Sequence, residues 1–271
     1  MALAVPFLTL AGGESFEIGA KSDGLAGATA TLTDVWAAQN NQAGLATLEN
    51  IEAGLYYNLG VMGASVPTIG LVAAFPIDMG VFGLGVTNYG ISGSYTETKV
   101  AVSFAKKLSD KFNASVAIDM YQLSQDRGLG GKTNFMVELG FQYKFTDQLR
   151  IGGHLYNPTR AILTKDSLDT PLGNELIPTQ LKLGLGYKFS EKVDVVIEAD
   201  KTDNSSKAIF AIGIDYMYND NFFIRTGVSS NETKNALGIG YKKDGLKFDI
   251  SAKYQTRLGI YPTISLSYQI K

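Results

Sequence analysis

The chain has 271 residues with 24 basic and 26 acidic side chains, and this length without an abrupt change of composition favours a single domain. A net charge of −2 predicts neither a nucleic-acid partner nor a polybasic membrane patch, and the absence of cysteine excludes a disulfide framework and thiol chemistry. No run of 18 apolar residues occurs, which excludes a transmembrane helix, whereas 30 glycines, 14 tyrosines and 14 phenylalanines predict many strands.

The first residues, MALAVPFLTLAGG, resemble the apolar stretch and cleavage region of a secretory signal, with Thr9 and Ala11 at small-residue positions. The positively charged start of such a signal is missing. We therefore interpret residues 1–13 as the remnant of a longer signal peptide, and a short buried segment is the alternative. Export would agree with the barrel that the rest of the chain predicts.

Residues 14–49 do not alternate between polar and apolar side chains and are rich in Gly, Ala, Asn and Thr. Thr33 and Asp34 are suited to cap a short helix over residues 35–39, and residues 40–44 predict a turn. The segment is too irregular for a wall strand and too apolar for a solvated tail. It is therefore predicted to fold inward as a plug.

Three residues of this predicted plug are its candidate contacts with the lumen: Trp36, Asn40 and Asn41. Trp36 is the single tryptophan, and it would anchor the segment inside a barrel. The alternative is that Trp36 lies at the periplasmic membrane interface among tyrosines. The polar backbone of a buried segment needs hydrogen-bond partners, which a charged lumen can supply.

From residue 50 onward the side chains alternate with a period of two, which predicts strands. The C-terminal hairpin shows the pattern most clearly, because Leu246, Phe248 and Ile250 alternate with Lys247 and Asp249. About fourteen strands are predicted, at 51–59, 68–77, 80–89, 96–108, 112–124, 133–145, 149–157, 179–189, 193–201, 207–218, 222–230, 234–242, 246–256 and 261–270.

Every second predicted connection is short and contains an acidic residue: 78–80, 109–111, 146–148, 190–192, 219–221 and 243–245. The other connections are longer on average, above all 158–178. Outer-membrane barrels show this asymmetry, with short periplasmic turns and longer extracellular loops. Tyrosines recur beside the short turns on the apolar face, as in the aromatic girdle at one membrane interface. Both termini are therefore predicted to be periplasmic.

Alternation alone does not show whether the apolar face points inward, as in a soluble sheet, or outward, as in a membrane barrel. A soluble barrel of fourteen strands would enclose a space that its side chains could not fill, although a soluble sandwich or propeller remains an alternative. The girdle and the turn asymmetry favour the membrane. The predicted fold is all-β: an antiparallel transmembrane β-barrel of about 14 strands over residues 50–271, in the bacterial outer membrane, with the plug in its lumen.

The polar face carries charges of both signs with glycines among them, and small residues there make room for something inside. The candidate lumen residues are Arg150, His154, Tyr156, Lys182, Glu198, Asp215, Arg225 and Asp249. We interpret them as paired charges packed against the plug, with a lined solute path as the alternative. A single histidine and the lack of a G-x-S-x-G motif give no support for catalysis, and no cofactor or metal is predicted.

Three stretches carry a resemblance to a known family: GLAGATATLTDVWAAQNNQAGLA at 24–46, YNPTRA at 156–161 followed by IPT and QLKLGLGYKFSEK, and the closing LGIYPTISLSYQIK. They resemble the FadL and PorV/PorQ-type fourteen-stranded outer-membrane barrels found in Bacteroidota. This resemblance implies outer-membrane lipid as a partner. It also implies either a docking role with a secretion or assembly protein, which we expect, or the alternative of passive transport of a small apolar solute.

Overall fold

Alternating side chains form the wall of a closed barrel. The structure is a computed structural model that describes residues 13, 15–62, 66–125, 131–164, 175–230 and 234–270. Strands β8 (Ile162–Thr164) and β9 (Glu175–Leu176) form a separate two-stranded sheet. The barrel strands, in chain order, are β1 (Ile51–Asn58), β2 (Thr68–Ile77), β3 (Gly80–Ile91), β4 (Tyr95–Lys107), β5 (Phe112–Gln125), β6 (Gly131–Lys144), β7 (Leu149–Tyr156), β10 (Gln180–Ser190), β11 (Val193–Thr202), β12 (Ile209–Met217), β13 (Phe222–Ser229), β14 (Lys234–Lys243), β15 (Leu246–Gln255) and β16 (Gly259–Ile270).

Within the described residues, fourteen antiparallel strands form the barrel, which confirms the predicted fold class and strand number. The first strand closes the wall on the last, with Ile51 opposite Ile270. The small β8–β9 sheet was not predicted, because strands of three and two residues are too short to show alternation. No helix among the described residues is long and apolar enough to cross a membrane.

The apolar face of the wall points outward. On β10 the outward Leu183 is 49% exposed, whereas the inward Lys182 is 2% exposed. The same alternation of exposed and buried positions runs through β1, β2 and β12. A closed barrel with this orientation replaces the soluble sandwich and propeller alternatives, because an exposed apolar band is stable only against lipid.

The short turns lie at one end of the barrel, which we call the short-turn end, and the other connections lie at the long-link end. The N-terminal segment, residues 13 and 15–50, lies inside the barrel and contains α1 (Ala20–Gly24) and two 3-10 helices, Val35–Ala38 and Gln42–Thr47. The segment runs from Gly13, beside Tyr156 at the long-link end, towards β1, which begins at the short-turn end.

The predicted cap is present, since Asp34 accepts a hydrogen bond from the Trp36 backbone N–H at 3.1 Å. The helix that it caps is a 3-10 helix. Within the predicted turn at 40–44, the Gly44 N–H donates to the Asn41 carbonyl at 2.9 Å, and this turn begins the second 3-10 helix, with the Asn41 side chain accepting from the Ala43 N–H at 3.3 Å. Helix α1 was missed, since five residues are too few to show helical periodicity.

Residues 1–12 of the expected signal-peptide remnant lie outside the described residues.

Apolar side chains inside the barrel form separate clusters around the N-terminal segment. One, near the short-turn end, contains Ile18, Val35, Trp36, Ala37, Ala38, Leu45, Tyr56, Val72, Ala74, Val81 and Ala105. A second, at the long-link end, contains Tyr121, Leu123, Met136, Tyr156 and Ile177. A third joins Leu25, Ala28 and Leu32 of the segment to Val196 and Ala211 of the wall.

Candidate functional site in the barrel lumen

Glycines on the inner face of the wall allow the backbone of the N-terminal segment to approach it closely. A Cβ atom on Gly152 would lie 2.0 Å from the carbonyl oxygen of Ala30, and one on Gly227 would lie 2.6 Å from the carbonyl carbon of Leu25. A side chain at these positions would therefore separate the two surfaces. Other glycines of the polar face, such as Gly140, Gly184 and Gly213, are also contact positions for the segment, whereas Gly186 and Gly240 make room for side chains of the wall.

Trp36 lies inside the barrel and is 3% exposed. Its ring leaves so little space that a Cβ on Gly54 of β1 would lie 2.8 Å from the indole, and its ring centroid is 6.3 Å from that of Tyr56. The alternative placement of Trp36 at the membrane interface is wrong. A flat indole needs a groove, and the side-chain-free surface at Gly54 provides it.

The two predicted asparagines hold the shape of the segment. Asn40 bonds both backbone groups of Ile18: its Oδ1 accepts from the Ile18 N–H at 3.1 Å, and its Nδ2 donates to the Ile18 carbonyl at 2.9 Å. Asn41 Nδ2 donates to the carbonyls of Ala30 at 2.6 Å and Phe141 at 3.2 Å. Asn41 thus joins two parts of the segment to β6 of the wall.

Glu198 and Lys182 bind the segment from β11 and β10. One carboxylate oxygen of Glu198 accepts from the backbone N–H groups of Thr29 at 2.8 Å and Ala30 at 2.7 Å. The Lys182 ammonium lies 2.7 Å from Glu17 Oε1 and 3.9 Å from Glu198 Oε1. Hydrogen bonds to an ionised acceptor are stronger than neutral ones, so this is a firm attachment.

Arg150 also binds the segment backbone, because its Nε donates to the Thr31 carbonyl at 3.1 Å. Its two terminal nitrogens bond the carboxylate of Asp194 at 2.9 and 2.5 Å, which fixes the plane of the guanidinium. Gln142 was not among the predicted residues. Its Nε2 donates to the Ala30 and Leu32 carbonyls at 3.1 and 2.9 Å, and a glutamine on the polar face gave no signal that distinguished it.

The remaining predicted charges form one network around Lys21 of α1. Arg225 bonds Asp215 at 3.0 Å and Asp249 at 2.5 Å, and Lys21 Nζ lies 3.6 Å from both Asp215 and Asp34. Burial alone would lower the pKa of Lys21, but the Asp215 and Asp34 carboxylates outweigh it and hold that pKa above its ordinary value. Lys21 therefore binds these carboxylates as a cation at neutral pH.

Asp23 is a fully buried attachment point that the sequence did not single out. Its carboxylate accepts from the Tyr56 hydroxyl at 2.6 Å and pairs with the ammonium of Lys253. Parity places Tyr56 and Lys253 on the inner face, but nothing in the sequence pairs them with a residue some 30 or 230 positions away. Only the path of the segment brings the three side chains together.

His154 lies in the lumen wall, where its Nε2 is 2.8 Å from Glu138 Oε2. Glu138 also accepts from Lys99 Nζ at 2.7 Å and from Gln42 Nε2 of the segment at 2.5 Å. The imidazole has no serine or second histidine among these partners. Across the described residues, no group of three or more His, Asp or Glu side chains is arranged to hold a metal ion.

Tyr156 lies at the long-link end, where its hydroxyl donates to the Gly13 carbonyl at 3.2 Å. Glu97 accepts from the Gly13 N–H at 3.0 Å and from the hydroxyls of Tyr95 and Tyr121. A small cavity adjoins these contacts. It is lined by Phe16, Thr87, Glu97, Lys99, Tyr121 and Tyr156.

The predicted site residues therefore do not form one compact centre. They surround the N-terminal segment and attach it by hydrogen bonds and ion pairs to strands on all sides of the barrel. Most of these contacts include a charged group, and a hydrogen bond of that kind contributes about 1.5–3 kcal/mol. Together they hold the segment in the lumen.

No family model matches the sequence, and no curated protein is detectably similar to it. Solved structures share its fold. A FadL homologue from Pseudomonas aeruginosa aligns with 96% of this chain and 100% of its own, at a TM-score of 0.73 and 16% identity. The toluene transporter TodX from Pseudomonas putida aligns with 95% of this chain and 99% of its own, at a TM-score of 0.72 and 14% identity. The chain therefore has the fold of FadL-type outer-membrane barrels.

Proposed function

We propose that this chain is an outer-membrane channel for small apolar solutes and that its N-terminal segment closes the lumen at rest. The observation that carries the proposal is the match of nearly the whole chain to barrels described as a FadL homologue and a toluene transporter. The exposed apolar band around the wall supports insertion in a bilayer.

An apolar cluster lies at the long-link end, and its side chains are at most 5% exposed while the segment is in place. It contains Tyr121, Leu123, Met136 and Tyr156 of the wall and Ile177 of the link before β10. Gly13 of the segment touches both Tyr156 and Ile177, so a solute that binds among these side chains competes with the start of the segment. This contact supports coupling between solute binding and release of the segment.

A reversible lock on the segment tests the proposal. The chain has no cysteine, so a pair at Ala30→Cys and Gly184→Cys can be introduced without background. A Cβ on Gly184 would lie 3.0 Å from the Ala30 Cβ, which is close to the separation of about 3.5–4.5 Å in disulfides. In proteoliposomes, the oxidised pair should block uptake of a radiolabelled monoaromatic hydrocarbon, and reduction should restore it.

The single variants Ala30→Cys and Gly184→Cys are the controls, and oxidant should leave their uptake unchanged. Uptake that is the same in the oxidised and reduced double variant would contradict closure by the segment. Uptake no faster than in empty liposomes, for the wild type and the reduced variant alike, would contradict the channel function itself.

Periplasmic termini are part of the proposal, with the short-turn end facing the periplasm. Lys192 lies exposed in a short turn, and Lys207 lies exposed at the long-link end. A membrane-impermeant amine reagent applied to intact cells should label Lys207 and spare Lys192. Labelling of Lys192 alone would show the opposite orientation.

The docking role with a secretion or assembly protein, expected from the PorV/PorQ resemblance, has no support among the comparisons. The likeness to a FadL homologue and a transporter favours the channel instead. Flux through the purified barrel, without any partner protein, separates the two functions.

A further inference from the structure

Four titratable side chains on four neighbouring strands meet inside the wall, behind the second 3-10 helix of the N-terminal segment. They are Lys99 on β4, Asp119 on β5, Glu138 on β6 and His154 on β7, and their exposed fractions are 7%, 0%, 0% and 1%. No solute contact is needed to explain them, and burial of so many ionisable groups requires that their charges balance.

Glu138 is surrounded by donors. Its two oxygens accept from Gln42 Nε2 at 2.5 Å, Lys99 Nζ at 2.7 Å and His154 Nε2 at 2.8 Å. Hydrogen bonds of this kind favour the ionised form of a carboxyl group. Glu138 is therefore the charged acid of the cluster, and the Lys99 ammonium balances it.

Asp119 has the opposite surroundings. Neither of its oxygens accepts a hydrogen bond from any residue that the structure describes. Asp119 pairs with Met136 across the ladder, and Glu138 is the next residue of β6 on the same inner face. An ionised Asp119 would be a buried charge without donors beside a second carboxylate, which is far more costly than a neutral carboxylic acid.

His154 does not supply the missing positive charge. Its Nε2 faces the Glu138 carboxylate, which can only accept and therefore requires Nε2 to donate, whereas Nδ1 has no hydrogen-bond partner within the described part of the chain. A charged imidazolium would bury an unpaired N–H at Nδ1, so the neutral tautomer with its proton on Nε2 fits this environment. The next cation in the wall, Lys182 on β10, is paired with Glu17.

We propose that Asp119 is a proton-binding site, with its carboxylic acid donating to Glu138, and that this proton helps to hold the N-terminal segment in place. This role is separate from the transport of a solute. With the proton bound, the cluster has one negative and one positive charge. Without it, a second carboxylate faces Glu138 directly behind Gln42, and water or a cation must enter between the wall and the segment to relieve the repulsion.

Infrared spectroscopy of the purified protein tests the bound proton directly. The wild type at neutral pH should show the carbonyl band of a protonated carboxylic acid, and this band should be missing from Asp119→Asn. Asp249→Asn is the matched control, because Asp249 is also buried in the lumen but bonds Arg225 at 2.5 Å and is held as a carboxylate. Its spectrum should keep the band.

A difference spectrum between wild type and Asp119→Asn that shows only carboxylate bands at neutral pH would mean that Asp119 is ionised and would overturn the proposal. Conductance in planar bilayers tests the effect on the segment. The wild type should conduct several-fold more as the pH rises from neutral to alkaline, and Asp119→Asn should lose this rise. An equal rise in both proteins would overturn the role of the proton in holding the segment.

Discussion

Strand β10 carries Leu183 on its outer face and Lys182 and Gly184 on its inner face, and the wall uses these neighbours differently. Leu183 is 49% exposed and needs only an apolar surrounding. Lys182 is bonded to Glu17, and Gly184 faces Ala30, both on a segment more than 150 residues away. The residues of the outer face therefore need only suit the apolar lipid around the barrel, whereas the residues of the inner face must each suit one particular partner in the segment.

This difference predicts which substitutions the two faces tolerate. Any apolar side chain of similar size satisfies lipid, so the outer face accepts changes of shape and rejects charge. The inner face already contains charge, and it rejects changes of volume or hydrogen bonding where the N-terminal segment is in contact. Four substitutions, from the largest expected effect to the smallest, sharpen or break the comparison.

Leu183→Arg should destabilise the barrel by about 2–4 kcal/mol, because it places a charge on the lipid face in the middle of the strand. Urea unfolding in lipid vesicles measures this loss. Leu183→Met is the control and should stay within about 1.5 kcal/mol of the wild type. A stability for Leu183→Arg equal to that of the control would show that the outer face does not contact the hydrocarbon region.

Gly152→Ala should cost about 1–3 kcal/mol, because its Cβ would lie 2.0 Å from the Ala30 carbonyl oxygen. The single Trp36 reports whether the segment moves, since quenching by acrylamide should increase while the strand content by circular dichroism stays constant. Gly184→Ala is the matched variant. Its Cβ would lie 3.0 Å from the Ala30 Cβ, so its effect should be smaller. The reverse order would contradict the observed approach of the two backbones.

Glu198→Gln should weaken the attachment of the segment by about 1 kcal/mol, the difference between charged and neutral hydrogen-bond acceptors. Amide exchange should become faster at Thr29 and Ala30, whose N–H groups bond Glu198 at 2.8 and 2.7 Å. Exchange at the Ile18 N–H, which is bonded to Asn40, should not change and serves as the internal control. Unaltered exchange at Thr29 and Ala30 would show that Glu198 does not help to hold the segment.

Lys144→Ala should have the smallest effect, because the Lys144–Asp147 ion pair at 2.7 Å lies on an exposed short turn. The hydrogen bond from Lys144 and its charge hold the pKa of Asp147 below its ordinary value. In the variant, an NMR titration should show that pKa returning towards its ordinary value, with thermal stability unchanged. A measurable loss of thermal stability would mean that this exposed ion pair stabilises the barrel more than surface ion pairs usually do.

The wall was predictable because its signal is local. Alternation along residues 246–255 and 259–270 identifies strands, and the side-chain period fixes which residues share a face, so fourteen strands and their turns could be placed from the sequence. The β8–β9 sheet and α1 escaped prediction because each is too short for a period to appear.

The site was predictable only as a set of residues. Arg150, Lys182 and Glu198 were identified by parity on the polar face, but their partners Thr31, Glu17 and Ala30 were not. Gln142 and Asp119 were not identified as site residues, since a single polar residue on an alternating strand has no feature that separates it from its neighbours. Their importance depends on which part of the segment faces them.

The sequence by itself determined the strands, their two faces and the mixed sign of the charges on the inner face, because each depends on spacing along one strand. Only the tertiary structure decided that Trp36 lies inside, that Asp23 meets Tyr56 and Lys253, and that Glu138 has three donors while Asp119 has none among the described residues. The physical reason is that the stability of the outer face in lipid depends only on the polarity of each side chain, which is a property of single residues. Contacts within the lumen depend on the path of a segment without a repeating pattern, and closure of the barrel sets that path.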